Sequence, residues 1–505
     1  MDLNFAYEVA SIALTAENLF AIFVGLVVGG VLGAIPGLNG TMAIALMIPL
    51  TFTWSPLFSI AILIGVWKGG VYAGCISGIL LNTPGSPDNA PSAIDGYPLS
   101  QKGLGEKALI TALVASVIGA LVSDVILIIA ATPVSRIALS FGPPELAALM
   151  VFALIVVAGV GSDSHAKGII GIAIGVLIGT VGLDPNTGQR RFTFGLHELD
   201  DGVSLIAMLI GILVLSEILL QIEKGLRVSV AGKGSLFSIL RRGSFTLKDF
   251  RSVAGTILRS SFLGSFLGAL PGVGSVTAAY LGYDLARSSA RDRAEFGKGD
   301  LRGVAGPEAA NNAVCGTALI PLLTLGVPGT LAVAVIMSAF VIHGVTPGPL
   351  MIHENPHLIY SLFVLLLISD VMLFFVAIPL IIAAQWFVRI SPAFLFPCIM
   401  AFCFYGAYGA NYSVFDIKVM VFFGVAGYAF KKAGISVAAI LIAFILAPMI
   451  ERYSGQSLSM SRGDPMIFFN SITSTALLIL GGLVLVASLF NGLKLMYKNY
   501  KQSND

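Results

Sequence analysis

Apolar runs close to or above the roughly 20 residues that a helix needs to cross a bilayer succeed one another along the chain. They include residues 14–33, 358–384, 392–410, 415–430, 435–450 and 468–493. No segment alternates apolar with polar positions, which argues against an outer-membrane barrel. The pattern predicts an all-α polytopic membrane protein. Two of the apolar stretches carry the same interruption, "LGAIPGLNG" from Leu32 and "LGALPGVGS" from Leu267. A second pair of breaks follows, "LNTPGS" from Leu81 and "LGVPGT" from Leu325.

Composition agrees with a lipid solvent. Of 505 residues, 56% are hydrophobic and 11% charged, and the mean hydropathy is +0.93, more apolar surface than a soluble chain can hide. The net charge of +2 gives no reason to expect a nucleic-acid partner. Cys75, Cys315, Cys398 and Cys403 lie in apolar runs without metal-ligand spacing, so they read as packing residues. No organic cofactor is expected, and no residue set is assigned as a metal site. The first 16 residues carry Asp2 and Glu8 and lack a basic segment, which predicts a retained first helix rather than a cleaved signal.

Basic residues orient the chain, since they are enriched in cytoplasmic loops. Residues 220–251 carry seven of them, residues 287–302 carry five, and Lys431–Lys432 and the tail (Lys494, Lys498, Lys501) add more. These segments are assigned to the cytoplasm. Residues 51–56, 184–202, 343–357 and 451–464 lack a basic excess and are assigned outside. The C-terminus is then cytoplasmic and the N-terminus periplasmic. The chain divides into an N-terminal membrane repeat (1–220), a basic cytoplasmic linker (221–251) and a C-terminal repeat with extra helices (252–505). Gly29-x-x-x-Gly33-Ala34-Ile35-Pro36-Gly37 aligns with Gly264-x-x-x-Gly268-Ala269-Leu270-Pro271-Gly272. The loops that follow these motifs fall on opposite sides, so the repeats are expected to be inverted and their breaks to meet near the bilayer midplane.

In lipid an unpaired backbone group costs several kcal/mol, so a Pro-Gly break is tolerated only inside protein or beside a wet cavity. A broken helix exposes N–H groups and partial positive charge where its second half starts, an anion site made without arginine. Candidate substrate-binding residues are therefore Pro36, Gly37, Asn39, Gly40 and Thr41 at the first break, and Asn82, Thr83, Pro84, Gly85 and Ser86 at the second. Pro271, Gly272, Gly274, Ser275 and Thr277 serve the third; Pro328, Gly329 and Thr330 serve the fourth, with Asn311 and Asn312 on the helix leading into it. The glycines after each proline are expected to present their N–H groups to a carboxylate. Ionisable or polar groups inside apolar runs usually face a cavity or a partner. Glu308, Thr324, Asp124 and Asp370 are candidates for coupling a Na⁺ or H⁺ gradient, and Lys68 either faces an anionic substrate or pairs with a carboxylate.

The runs "GAIPGLNG", "ILLNTPGSPDNAPSAIDGYPL", "LGALPGVG", "GPEAANNA", "LIPLLTLGVPGT" and "HGVTPGPL" resemble the large permease subunit of bacterial tripartite tricarboxylate transporters, in order and over most of the chain. The resemblance implies an ion-gradient-driven symporter in the inner membrane that imports a tricarboxylate or dicarboxylate. It implies two partners, a small four-helix membrane subunit and a periplasmic solute-binding protein. Lys68 and Asn39 stand where small residues are usual in that family.

Two other readings stay open. Tyr283-Asp284 and Gly297-Lys298-Gly299-Asp300 match the YD and GxGD pairs of intramembrane aspartyl proteases, yet Asp300 lies in a charged stretch rather than an apolar helix. A passive anion channel would also use broken helices. An ATP-driven pump is disfavoured, because no G-x-x-x-x-G-K-[ST] loop is present.

Overall fold

The computed structural model describes residues 3–160, 165–225, 245–387 and 392–487. Most of the basic linker, including Arg241, and the tail lysines lie outside the described residues. Apart from a two-residue ribbon, Gly182–Leu183 with Arg190–Arg191, the described chain is helix and short connections. Among the described residues seven helices are long and apolar enough to cross a membrane: Ala16–Ala34, Pro56–Leu81, Gly105–Ala138, Leu205–Glu223, Pro356–Ala383, Ala393–Asn411 and Val437–Met460. The protein is an all-α polytopic membrane protein.

Small residues decide how the centre packs. A Cβ on Gly25, Gly29 or Gly33 would meet the carbonyl oxygens of Ile62, Val66 or Gly70 at 2.3, 2.0 and 2.5 Å. Helix Ala16–Ala34 therefore lies backbone-to-backbone on Pro56–Leu81, with both chains rising together, as small residues at four-residue spacing allow. Two helices adjacent in sequence can run parallel only if the chain reverses between them. The reversal is the Pro36-Gly37 turn, where Gly37 takes φ +89° and Gly40–Met47 runs back, its first residue packed on Gly70. The first break is the tip of a re-entrant hairpin.

The second half repeats the construction. Gly264 lies on the carbonyl of Ala310 and Gly268 on Val314 and Thr317, so Leu247–Gly268 and Leu301–Thr317 also rise together. The chain reverses at Pro271-Gly272 (Gly272 φ +86°) into Gly274–Ser288. The remaining two breaks match residue for residue. Asn82 and Gly326 are both left-handed C-caps, Thr83 N–H reaches Ser77 O and Val327 N–H reaches Pro321 O, and Ser86 and Thr330 share an extended backbone.

Asp95 ties the halves together. One of its carboxylate oxygens accepts the N–H groups of Gly297, Gly299 and Asp300 at 2.8–2.9 Å, and the other accepts Tyr283 Oη–H at 2.9 Å. The GxGD sequence is thus a backbone nest for a buried carboxylate, in which Asp300 caps Leu301–Thr317. Ion pairs gather the loops into two groups. Lys107–Asp249, Lys431–Glu217 and Lys432–Glu223 join one set of segments; Glu8–His357 and the bidentate Arg191–Glu451 join another. Lys432–Glu223, Glu8–His357 and Arg191–Glu451 each link segments that the basic-residue pattern assigns to one side.

Candidate functional site

Each hairpin tip stops partway along a long helix: Gly33 at Gly70 of Pro56–Leu81, and Gly268 at Val314 of Leu301–Thr317. The two remaining breaks return the chain to the same depth. Gly85 N–H donates to Gly74 O at 3.0 Å, and Gly272 N–H donates to Gly329 O at 2.9 Å. Between the four breaks lies a cavity of about 530 Å³. It is lined by Asn39, Gly40 and Thr41; by Ser86, Pro87 and Asp88; by Gly272, Gly274, Ser275 and Thr277; and by Gly329 and Thr330.

Each group opens a helix. Asn39 precedes Gly40–Met47 and its Oδ1 accepts Met42 N–H at 2.9 Å; Thr330 precedes Leu331–Ile342 and its Oγ1 accepts Val333 N–H at 3.2 Å. Gly274 begins Gly274–Ser288, and Pro87–Asn89 leads into Ala90–Gln101. Asn39 Nδ2 and the Thr330 hydroxyl hydrogen remain as donors. Four positive helix ends thus meet one cavity.

Several expected site residues stand behind the lining. Pro36, Gly37, Asn82, Thr83, Pro84, Gly85, Pro271 and Pro328 shape the turns without reaching the cavity. The N–H groups of Gly85 and Gly272 are spent on backbone carbonyls, which corrects the expectation that these glycines offer donors to a ligand. Their role is close approach: a Cβ on Gly85 would stand 2.6 Å from Gly33 O, and one on Gly272 2.8 Å from Val157 Cα. Asn311 is buried, and its amide makes no hydrogen bond among the described residues. Thr324 donates its hydroxyl to Ile320 O at 2.7 Å and borders a separate, mostly apolar cavity.

A polar network runs from the cavity into the protein. Asp88 accepts hydrogen bonds from Ser86 and, at 2.9 Å, from Ser275 of the second hairpin tip. Ser86 also bonds Asn89, whose Nδ2 approaches Glu308 at 3.4 Å. Glu308 is fully buried and accepts from Ser92 (2.5 Å) and Ser116 (3.1 Å), and Asn312 donates to Ser116 at 2.9 Å.

Lys68 does not enter the cavity. Its ammonium sits 2.6 Å from Asp124 Oδ2, 2.5 Å from Asp370 Oδ1 and 3.1 Å from Leu366 O. Of the two readings for Lys68, the structure selects the carboxylate partner. Sequence reasoning gave Asp88 no role, and it missed the cavity walls formed by Trp67, Val71, Val157 and Cys315. Residue type gives no signal for those four, because an apolar residue in a membrane helix is expected wherever it points.

Residues 19–442 match the family model described as the tripartite tricarboxylate transporter TctA family. The chain belongs to that family. A protein of Agrobacterium vitis described as an uncharacterized 52.8 kDa protein in the TAR-I ttuC' 3' region is 37% identical over 495 residues, 98% of this chain and 97% of its own. A second from the same organism, an uncharacterized protein in the TAR-II ttuC' 3' region, is 36% identical over 231 residues, covering 46% of this chain and 96% of its own. No solved structure matches. As a TctA-family permease the protein is a transporter rather than an enzyme, and the family is one of tripartite systems.

Proposed function

We propose that this permease is a symporter that imports a carboxylate, a tricarboxylate or a dicarboxylate, driven by a Na⁺ or H⁺ gradient across the bacterial inner membrane. The observation that carries the reading is the meeting of four helix N-termini on one cavity partway through the membrane helices. Backbone N–H groups and hydroxyls there suit a carboxylate. Asp88 opposes an anion that arrives alone, which fits entry of a cation or proton with the substrate. A passive anion channel would gain nothing from an aspartate on its own anion path.

Thermal-shift titration of the purified permease against citrate, malate and succinate, with and without Na⁺, tests the reading. Ser275→Ala and Thr330→Ala should each weaken the acid that stabilises the wild type. A lost hydrogen bond to a charged ligand costs about 1.5–3 kcal/mol, roughly ten- to a hundredfold in affinity. Stabilisation that both variants leave unchanged would place the ligand elsewhere.

Family membership supports the partners, a small four-helix membrane subunit and a periplasmic solute-binding protein that delivers the acid. The matched breaks, the parallel helix pairs and the segregated ion pairs support two inverted repeats, residues 1–220 and 252–505 about the 221–251 linker. Gly297–Asp300 then faces the cytoplasm with the C-terminus, and Asn355, Ser454 and the N-terminus face the periplasm. Single cysteines at 355 and 454 should react with an impermeant maleimide in intact cells, and one at 298 only after lysis. External labelling at 298 would refute the inverted arrangement.

A further inference from the structure

We propose that the Lys68–Asp124–Asp370 cluster binds one exchangeable proton and is the point at which a proton gradient drives this permease. The inference rests on the symport reading above and selects its coupling ion.

All three side chains are buried, 0–2% exposed. Two carboxylates and one ammonium would leave a net charge of −1 that burial keeps from screening by bulk solvent. A buried charge without a counter-charge costs several kcal/mol, and two carboxylates that share a site do not both stay ionised. A single proton on either aspartate neutralises the cluster. The geometry leaves room for it: Asp124 Oδ1 and Asp370 Oδ2, which are not the oxygens that hold the ammonium, are buried without a hydrogen-bond partner among the described residues. The position between the two carboxylates that a metal ion would take is filled by the Lys68 ammonium. The three oxygens that would ligate one, from Asp124, Asp370 and the Leu366 carbonyl, already hold the tethered ammonium. The step is an acid–base one: an O–H bond forms on an aspartate with a proton taken from water on the uptake side, and breaks by release to water on the other.

The position suits coupling. Lys68 follows Trp67, a wall of the cavity, on the helix that ends at the second break; Asp124 Oδ1 lies where a Cβ on Gly316 would stand, next to the cavity-lining Cys315. The cluster is one side-chain layer behind the binding cavity. The elements that carry or pack on the cluster also hold Cys315, Glu308 and Arg302 on Leu301–Thr317, Tyr72 and Cys75 on Pro56–Leu81, Glu106, Lys107 and Arg136 on Gly105–Ala138, His357 and Tyr360 on Pro356–Phe387, Glu17 on Ala16–Ala34, and Asp88 at the second break. None of them bonds to the cluster.

Infrared difference spectroscopy on the purified full-length permease at neutral pH reads the proton without a substrate. A protonated carboxyl gives a C=O stretch apart from the carboxylate bands, moved by D₂O. The band should be present in the wild type and in Glu308→Gln and Asp88→Asn, and absent from Asp124→Asn and from Asp370→Asn, in each of which the remaining aspartate pairs with Lys68. A band that disappears only in Glu308→Gln or Asp88→Asn, or no such band in the wild type, overturns the proposal. In proteoliposomes supplied with citrate, malate or succinate, an acid-outside gradient should drive accumulation by the wild type, while Asp370→Asn should exchange the acid across the membrane without accumulating it. Accumulation driven by a Na⁺ gradient alone would also overturn it. If the wild type takes up none of the acids, the carboxylate reading fails, and the infrared result still decides whether the cluster holds its proton.

Discussion

Replacing Lys68 by methionine should lower the stability of the folded permease by about 3–5 kcal/mol, the cost of leaving the far side of a buried ion pair without its partner. The loss arises from charge rather than shape, because methionine fills much of the lysine stem's volume. Asp124 and Asp370 approach one ammonium at 2.6 and 2.5 Å from the two flanking helices, Gly105–Ala138 and Pro356–Phe387. Without it the aspartate that is ionised becomes a buried charge with no counter-charge. The triple variant Lys68→Met/Asp124→Asn/Asp370→Asn carries no buried charge there and should recover most of the lost stability, since a buried ionic cluster is often replaceable by neutral groups at little net cost. Thermal unfolding in detergent, followed by tryptophan fluorescence, distinguishes the cases. A triple variant as unstable as the single one would assign the loss to packing of the lysine stem.

What the sequence made legible were features whose local chemistry has one physical outcome. Proline followed by glycine cannot sit in a lipid-facing helix, so the four breaks, and their pairing, could be read directly. Direction could not. Residues 16–34 and 40–47 have the apolar composition of one interrupted crossing, and only the parallel contact of Gly25, Gly29 and Gly33 with Pro56–Leu81 reveals the reversal. The same limit explains the partners of the buried charges. Lys68, Asp124 and Asp370 stood out as polar residues in apolar runs, but a separation of 302 residues between Lys68 and Asp370 leaves no trace in hydropathy. For the glycines the residue type admitted two uses, offering an N–H or allowing close approach. At Gly85 and Gly272 a backbone carbonyl takes the N–H, a result of the long-range fold. Thr324 shows the local competitor: its hydroxyl bonds the carbonyl four residues back, as threonines in helices commonly do.

A tryptophan in place of Gly274 should abolish carboxylate binding and uptake while leaving a folded permease. Gly274 lines the cavity at the start of Gly274–Ser288, and no atom lies within 4 Å of the point where its Cβ would stand, so a large side chain enters open space. Its φ of +72° charges any substitution a backbone strain of about 1–2 kcal/mol. Gly274→Asn carries nearly the same backbone change with a small side chain that tolerates the left-handed region, and it serves as the control. Gly85→Val is the contrasting case. Its side chain would drive into Gly33 O and the Gly74 Cα, 2.6 and 3.0 Å from the Cβ position, and the backbone contact between the first two breaks would have to open. That variant should lose folded yield as well as transport, so it cannot separate the site from the scaffold. Gly274→Trp can, when its unfolding temperature matches that of Gly274→Asn and only the asparagine variant is stabilised by the acid that stabilises the wild type. Equal stabilisation of both variants would mean that the cavity between the four helix ends is not where the substrate binds.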